Sequence, residues 1–299
     1  MADGTTIEWC DATWNPVTGC SVLSPGCTNC YAMRLAGTRL KHEPSRAGLT
    51  RDSNAGPVWT GEVRLNEQWL DQPLRWRRPR RIFVCAHGDL FHEAVPDDWI
   101  DRVFAVMTLA PQHTFLVLTK RAQRMRDYME RRVHVGSEWD NIIAVAAFAA
   151  HLACSPEQDF VPPERLPLPN VWLAVSVEDQ RRADERIPLL LDTLAAKRFV
   201  SAEPLLGPVD LRSYLRSPTR IDWVIVGGES GPGARPFDIA WGRSLIGQCR
   251  MAEVACFVKQ LGAKPYWEED AAVPLRLRDK KGGDWSEWPH DLRVREFPA

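Results

Sequence analysis

The feature that most constrains how this 299-residue chain folds is a recurring pair, a short β-rich run followed at once by a polar or charged cluster. The runs Arg81–Cys85, Thr114–Leu118, Val171–Val175, Arg198–Val200, Trp223–Val226 and Ala255–Val258 are nearly continuous in apolar residues. Strands buried on both faces of a parallel sheet have that character. Between them the sequence predicts helices over Asp97–Leu109, Arg121–Arg132, Asp179–Leu194 and Ile239–Ala252, with starts such as Pro96-Asp97-Asp98. Strand and helix alternate, the mark of repeated βαβ units. The expected fold class is therefore α/β, a TIM-like (β/α) barrel, partial or complete.

The clusters are Ala86-His87-Gly88-Asp89, Thr119-Lys120-Arg121, Ser176-Val177-Glu178, Ser201-Ala202-Glu203-Pro204, Gly227-Gly228-Glu229-Ser230-Gly231 and Lys259-Gln260-Leu261-Gly262. In a parallel barrel all C-terminal strand ends converge on one face, where active sites are built. Asp89, Lys120, Glu178, Glu203, Glu229 and Lys259 are accordingly expected around one cavity. A flat doubly wound sheet would instead gather such residues at its switch point. A single acid after a strand also serves as the charge partner of a helix N-terminus, so the weight lies in the recurrence.

A second signal is the stretch from Trp14 to Tyr31, which carries Cys20, Cys27 and Cys30 in a C-x6-C-x2-C pattern bent by Gly19 and Pro25-Gly26. Three thiolates on such a loop can hold a metal or an iron–sulfur cluster and leave one position open. A structural zinc site completed by Cys10 or His42 fits the same spacing, as do thiols that bind no metal.

Composition narrows the setting. There is no charged-then-apolar leader, and the longest apolar run, near Ile142–Ala150, is too short to span a bilayer. A cytoplasmic protein with no membrane partner is expected. Eight scattered cysteines in a chain of this length read as reduced thiols. A net charge of −1 gives no global pull toward nucleic acid. Locally, Arg75-Trp76-Arg77-Arg78-Pro79-Arg80-Arg81 interleaves cations with an aromatic ring that can meet phosphates and bases. Because it precedes a strand, it is expected on the face opposite the pocket, as a solvated loop.

Two segments interrupt the alternation. An Ala-rich helix is expected over Ser137–Cys154, followed by a Pro-rich connection to Asn170, and His42–Trp59 reads as an irregular loop. The expected organisation is a barrel domain over residues 1–263, including the cysteine loop, with 264–299 as an extension packed on it.

Several of these strings carry a resemblance. Thr13-Trp14-Asn15-Pro16 through Cys20, Cys27-x2-Cys30-Tyr31-Ala32, Leu118-Thr119-Lys120-Arg121, Ser176-Val177-Glu178, Glu203-Pro204-Leu205-Leu206-Gly207, the string from Gly227 to Pro236, Lys259-Gln260 and Trp288-Pro289 resemble a phage-related family of uncharacterised proteins. That family resembles radical S-adenosylmethionine (SAM) proteins, including the spore photoproduct lyase type of DNA repair enzyme. Some members are linked to a three-Cys-motif partner protein. The resemblance implies a barrel of radical SAM type with a [4Fe–4S] cluster on Cys20, Cys27 and Cys30 and SAM at its open iron. One electron from the cluster would then cleave the SAM sulfonium to a 5′-deoxyadenosyl radical, with nucleic acid as a candidate substrate. Gly227 and Gly228 would let the backbone approach the SAM amino group, and Glu229 would accept its N–H bonds. Gly-Gly is equally a tight strand-to-loop turn. Lys120, Glu203 and Lys259 would be catalytic candidates, and Arg235 would join Glu229 in the cofactor pocket.

The pattern departs from the common C-x3-C-x2-C, in which an aromatic residue precedes the last cysteine. Here Asn29 precedes Cys30 and Tyr31 follows it, a departure that bears on SAM more than on the cluster. Two other classes stay open, a non-catalytic cluster- or zinc-bearing protein acting through a partner and a metal-dependent barrel hydrolase using Asp89, Glu178, Glu203 and Glu229.

Overall fold

The structure, a computed structural model, describes residues 5–134, 167–267 and 273–299. The helix expected over Ser137–Cys154, and most of the connection after it, lie outside the described residues.

Seven strands form one sheet: β1 (Ala12–Trp14), β2 (Arg81–Val84), β3 (Thr114–Thr119), β4 (Val171–Ser176), β5 (Lys197–Ala202), β6 (Trp223–Gly227) and β7 (Ala255–Gln260). Their hydrogen-bonded order follows the chain from β1 to β7 without reversal. Pairing is parallel between β1 and β2, β2 and β3, β5 and β6, and β6 and β7. A doubly wound sheet reverses its order at a switch point, and the described strands show none. The α/β expectation holds, and the seven strands of this order among the described residues fit a partial TIM-like barrel.

The longer helices among the described residues are α1 (Tyr31–Gly37), α2 (Asp97–Leu109), α3 (Ala122–His134), α4 (Gln180–Asp192) and α5 (Ile239–Met251). α2 begins after Pro96 with Asp97 and Asp98 in its first turn, where carboxylates complement the free N–H groups. α5 is capped by Asp238, whose carboxylate accepts from the Ala240 N–H at 2.8 Å.

The chain divides into two compact units whose segments interleave. The first comprises Met1–Leu23, Cys30–Leu173 and Thr193–Lys197. Its strands bury Ile82, Phe115, Leu116 and Val117, and its helices bury Phe104, Met107 and Met125. Asp101 is also buried, and its carboxylate receives the Tyr128 hydroxyl at 2.7 Å and the Arg132 guanidinium at 2.7 and 2.8 Å, so no polar atom there goes unmatched. The basic segment before β2 is largely tied within this unit. Arg75 pairs with Asp71, Arg81 with Asp11, and Arg80 stacks on Trp76, leaving Arg77 and Arg78 exposed.

The second unit comprises Ser24–Asn29, Ala174–Asp192 and Arg198–Ala299. Every residue of β6 is buried, which matches its unbroken apolar run. The tail belongs to this unit and covers the outer side of β7. Val258 N–H donates to the Val294 carbonyl at 2.8 Å, and Glu296 N–H donates to the Cys256 carbonyl at 2.9 Å. Arg295 lies over Phe257, Trp285 and Trp288. An unpaired strand edge invites pairing with other chains, and this one is closed by the chain's own backbone.

Candidate functional site: acid–base pairs that grip the cysteine segment

In the first unit the polar residues after β2 and β3 form one network. Asp89 is 5 % exposed, a carboxylate that would be costly to bury alone. It accepts from Thr119 Oγ1 at 2.7 Å, Phe91 N at 3.1 Å, Lys120 N at 3.3 Å and Arg121 Nη1 at 3.0 Å. Arg121 uses its remaining donors on Glu93 at 2.8 Å and on Ser21 Oγ at 2.7 Å, and its Nη1 also approaches Cys20 Sγ at 3.5 Å. Ser21 Oγ is shared with His92 Nε2 at 3.0 Å. The network fixes Cys20 and Ser21 where the chain leaves Gly19.

The same unit holds a neutral imidazole. Arg46 Nη2 lies 2.7 Å from His87 Nδ1. Burial, then the Arg46 charge, lowers the His87 pKa to about 4 from its ordinary 6.5. The proton therefore resides on Nε2, and the hydrogen bond from Arg46 fixes that tautomer. Between pH 6.5 and 4 the unfolded chain binds a proton that the folded chain refuses, so stability falls as the pH drops through that window. The expected result is a lower urea midpoint at pH 5 than at pH 7 in the wild type, and a smaller difference in His87→Gln. An equal difference in both proteins would show that His87 is not the responsible group.

In the second unit three further acids each meet a cation. Glu178 is fully buried, and its carboxylate accepts from Arg186 Nη1 at 2.9 Å, from Gly26 N at 3.1 Å and from the Ser24 hydroxyl. Glu229 Oε2 accepts from Asn29 Nδ2, Arg235 N and Arg235 Nε, each at 2.9 Å, and its Oε1 accepts from Arg235 Nη2 at 2.5 Å. Burial alone would push the Glu229 carboxyl up, but the bonds from Arg235 and Asn29 hold it below the ordinary carboxylate range. Arg235 also donates to the Pro25 carbonyl at 2.9 Å, and Asn29 donates to the Gly233 carbonyl at 3.1 Å. The segment Ser24–Asn29, which contains Cys27, is thus held at both ends by strand-end groups.

The fourth pair, Lys259 Nζ to Glu203 Oε1 at 2.7 Å, joins β7 to the residue just after β5. It crosses the intervening strand at Gly227, where an added Cβ would lie 3.2 Å from the Glu203 carboxylate. A glycine there leaves room for two neighbouring strands to bring their side chains together over the third. At Gly228 the space of a Cβ is filled by the Leu261 carbonyl oxygen, 2.3 Å away. Beyond the same glycine-rich string a cavity of about 420 Å³ is lined by Gly231, Pro232, Gly262, Leu275, Leu277 and Lys280.

Asp89, Lys120, Glu178, Glu203, Gly228 and Glu229 lie past strand ends, Gly227 and Lys259 in the last residues of β6 and β7, and Arg235 in the loop after β6. Within the units the structure joins Asp89 to the Lys120 backbone, Glu203 to Lys259, and Glu229 to Arg235. Sequence reasoning did not single out Arg121, Arg186 or Asn29. Arg186 had a legible signal, because it falls on the buried stripe Ala183, Arg186, Ile187, Leu190 of α4, where an apolar residue belongs.

The seven described cysteines are thiols. Burial pushes the Cys85 thiol up to about 12, and a hydrogen bond with Cys249, reinforced by burial, holds Cys256 well above its ordinary value. Thiols of that kind resist the deprotonation that ligation requires. Cys20, Cys27 and Cys30 are only partly buried and lie within 11 residues of one another. Among the described residues no group of three or more His, Cys, Asp or Glu side chains stands ready to hold a metal ion. In donor chemistry the three thiols fit an iron–sulfur cluster. No helix among the described residues is long and apolar enough to cross a membrane.

Neither a curated protein nor a solved structure matches the chain. Residues 4–289 match the family described as protein of unknown function (DUF5131), and the chain belongs to that family.

Proposed function

We propose that the chain is an iron–sulfur enzyme of radical SAM type built on a partial (β/α) barrel. Cys20, Cys27 and Cys30 hold a [4Fe–4S] cluster, SAM occupies its open iron, and nucleic acid is the substrate class. The observation that carries this reading is where the strand-end acids point. Three of the four acid–base pairs hold the cysteine segment, Asp89–Arg121 at Cys20-Ser21, Glu178–Arg186 at Ser24 and Gly26, and Glu229–Arg235 at Pro25 and Asn29. Effort of that kind on a loop bearing three partly exposed thiols is what a redox centre needs, since rigid support fixes ligand geometry.

When bound, the cluster supplies the single electron that cleaves the SAM sulfonium. The chain's own residues supply position and charge. Glu229 Oε1 keeps acceptor capacity beyond its Arg235 bond, suited to an ammonium group. Glu203 and Lys259 are about one-sixth exposed and make no hydrogen bond to the cysteine segment among the described residues, so they remain for substrate. Within the second unit the Lys259 ammonium beside Glu203 suits a phosphate oxygen, and Lys120 offers the same chemistry in the first unit. The pairing of all four acids with cations also speaks for this reading over the carboxylate-metal hydrolase, because each acid already answers to a guanidinium or ammonium.

A second reading has one observation in its favour. Val22, Leu23 and Tyr31, beside Cys20 and Cys30, are each about half exposed, which suits a cluster- or zinc-bearing protein covered by a partner such as the three-Cys-motif partner protein.

The test is anaerobic purification with iron, sulfide and zinc analysis. Equal iron and sulfide, lost on replacing any of Cys20, Cys27 and Cys30 by Ala, is the expected result. Reduced protein mixed with SAM should release 5′-deoxyadenosine and methionine. Iron retained in the triple variant, or stoichiometric zinc without sulfide, overturns the cluster assignment. A loaded, reducible cluster that leaves SAM intact favours the partner-dependent protein.

A further inference from the structure

We infer that Arg121 is a positioning residue that sets how readily the centre on Cys20 accepts an electron, an inference resting on the cluster reading above. The guanidinium is almost wholly enclosed, with 3 % of its side chain exposed. Its Nη1 is shared between Asp89 Oδ2 at 3.0 Å and Cys20 Sγ at 3.5 Å, a distance within the longer reach of a hydrogen bond to sulfur. Its Nη2 holds Ser21 Oγ at 2.7 Å and approaches the Ser21 carbonyl at 3.5 Å, and Nε holds Glu93 at 2.8 Å. Five contacts fix the plane of the fork, so the N–H facing sulfur cannot swing away.

The surrounding charges make the contact selective. Asp89 is buried and balances Arg121, while Glu93 is 63 % exposed and screened by solvent. His92, which shares Ser21 Oγ, has its pKa lowered by burial and by the Arg121 charge. Arg121 is the cation beside Cys20 in this network, and it presents a donor directly to the ligand sulfur. An N–H donated to a ligating thiolate withdraws electron density from it and favours the reduced, more negative state of the cluster. Neither the cysteine spacing nor the strand-end acids alone would have pointed to this residue. In the sequence it stands beside Lys120 in the cluster Thr119-Lys120-Arg121, with no mark of its own.

The test is a redox titration of the anaerobically reconstituted protein, with dithionite as the one-electron donor and electron paramagnetic resonance as the readout. Three variants are compared with the wild type after iron and circular dichroism measurements. Arg121→Gln should shift the ratio of reduced to oxidised centre at fixed potential at least tenfold toward oxidised, a midpoint lower by about 59 mV for a one-electron couple. Arg121→Lys keeps the charge without the fork and should fall between. The double variant Asp89→Asn with Arg121→Met removes both charges and leaves no buried acid unpaired. It should still lower the midpoint, because the N–H to sulfur is gone. Ratios within twofold of wild type in all three variants overturn the inference while leaving the cluster intact. So does loss of iron from every Arg121 variant with the fold preserved, which would make the residue purely structural. Absence of iron from the reconstituted wild type overturns the cluster reading and this inference together.

Discussion

Replacing Arg186 by Met should destabilise the protein by about 3–5 kcal/mol, the cost of leaving one charge of a buried pair without its partner. Glu178 is 0 % exposed and Arg186 is 5 % exposed, so neither solvent nor counter-ions can relieve the remaining carboxylate. Arg186 also donates to the Ser176 carbonyl at 2.6 Å, and that bond would be lost as well. The companion variant is the double substitution Glu178→Leu with Arg186→Met, which removes both charges and fills the volume with apolar atoms. Its urea midpoint should recover most of the loss, because an apolar replacement of a buried pair is often neutral. Iron loading should not recover, since Ser24 and Gly26 would still lack their acceptor. Recovery of both properties in the double variant would show that Glu178 does not hold the cysteine segment.

The second large effect is expected at Gly228. A Cβ there would stand 2.3 Å from the Leu261 carbonyl oxygen, 2.8 Å from its carbon and 3.0 Å from Phe237 Cβ. The obstacle is chiefly backbone, and it is held on both sides: Gly228 N–H donates to Gln260 at 3.0 Å and Leu261 N–H donates to Gly282 at 2.8 Å. Gly228→Ala must push the ends of β6 and β7 apart, at or above the upper end of the roughly 1–3 kcal/mol that overpacking costs. Gly227→Ala meets only the flexible carboxylate of Glu203 and should cost less in the same unfolding experiment, while disturbing the bond to Lys259. Gly207→Ala, with no atom within 4 Å of its Cβ position, serves as the control. Equal midpoints for Gly228→Ala and Gly207→Ala would refute the packing argument.

The sequence made the six longer strands and four of the helices legible, because continuous apolar runs and the 3.6-residue period are local signals. Strand β1 was not legible. It has three residues, Ala12-Thr13-Trp14, and it enters the sheet through its parallel register with β2, a long-range pairing that leaves no local periodicity. The strand-end acids were legible as positions but not as pairs. Glu203 and Lys259 were both named, yet 56 residues separate them, and only sheet order with a glycine between could join them. Arg121 and Arg186 were missed for the same reason, since a buried cation looks like any other cation until its partner is known. The expected surface role of the Arg75–Arg81 segment holds for Arg77 and Arg78, whereas local acids and Trp76 engage its other arginines.

The anchoring of Ser24–Asn29 has a consequence in time as well as in space. Its acceptors and donors come from far along the chain: Glu178 is 154 residues after Ser24, Glu229 is 200 after Asn29, and Arg235 is 210 after Pro25. At a synthesis rate of about 5–20 residues per second, roughly 10–40 s separate the emergence of Cys27 from that of the groups that hold it. Contacts of such separation also close late, after the loop entropy between them has been overcome. The newborn cysteine segment therefore waits, unshaped, through most of the chain's manufacture, and any centre installed on it early must survive without the scaffold that later encloses it.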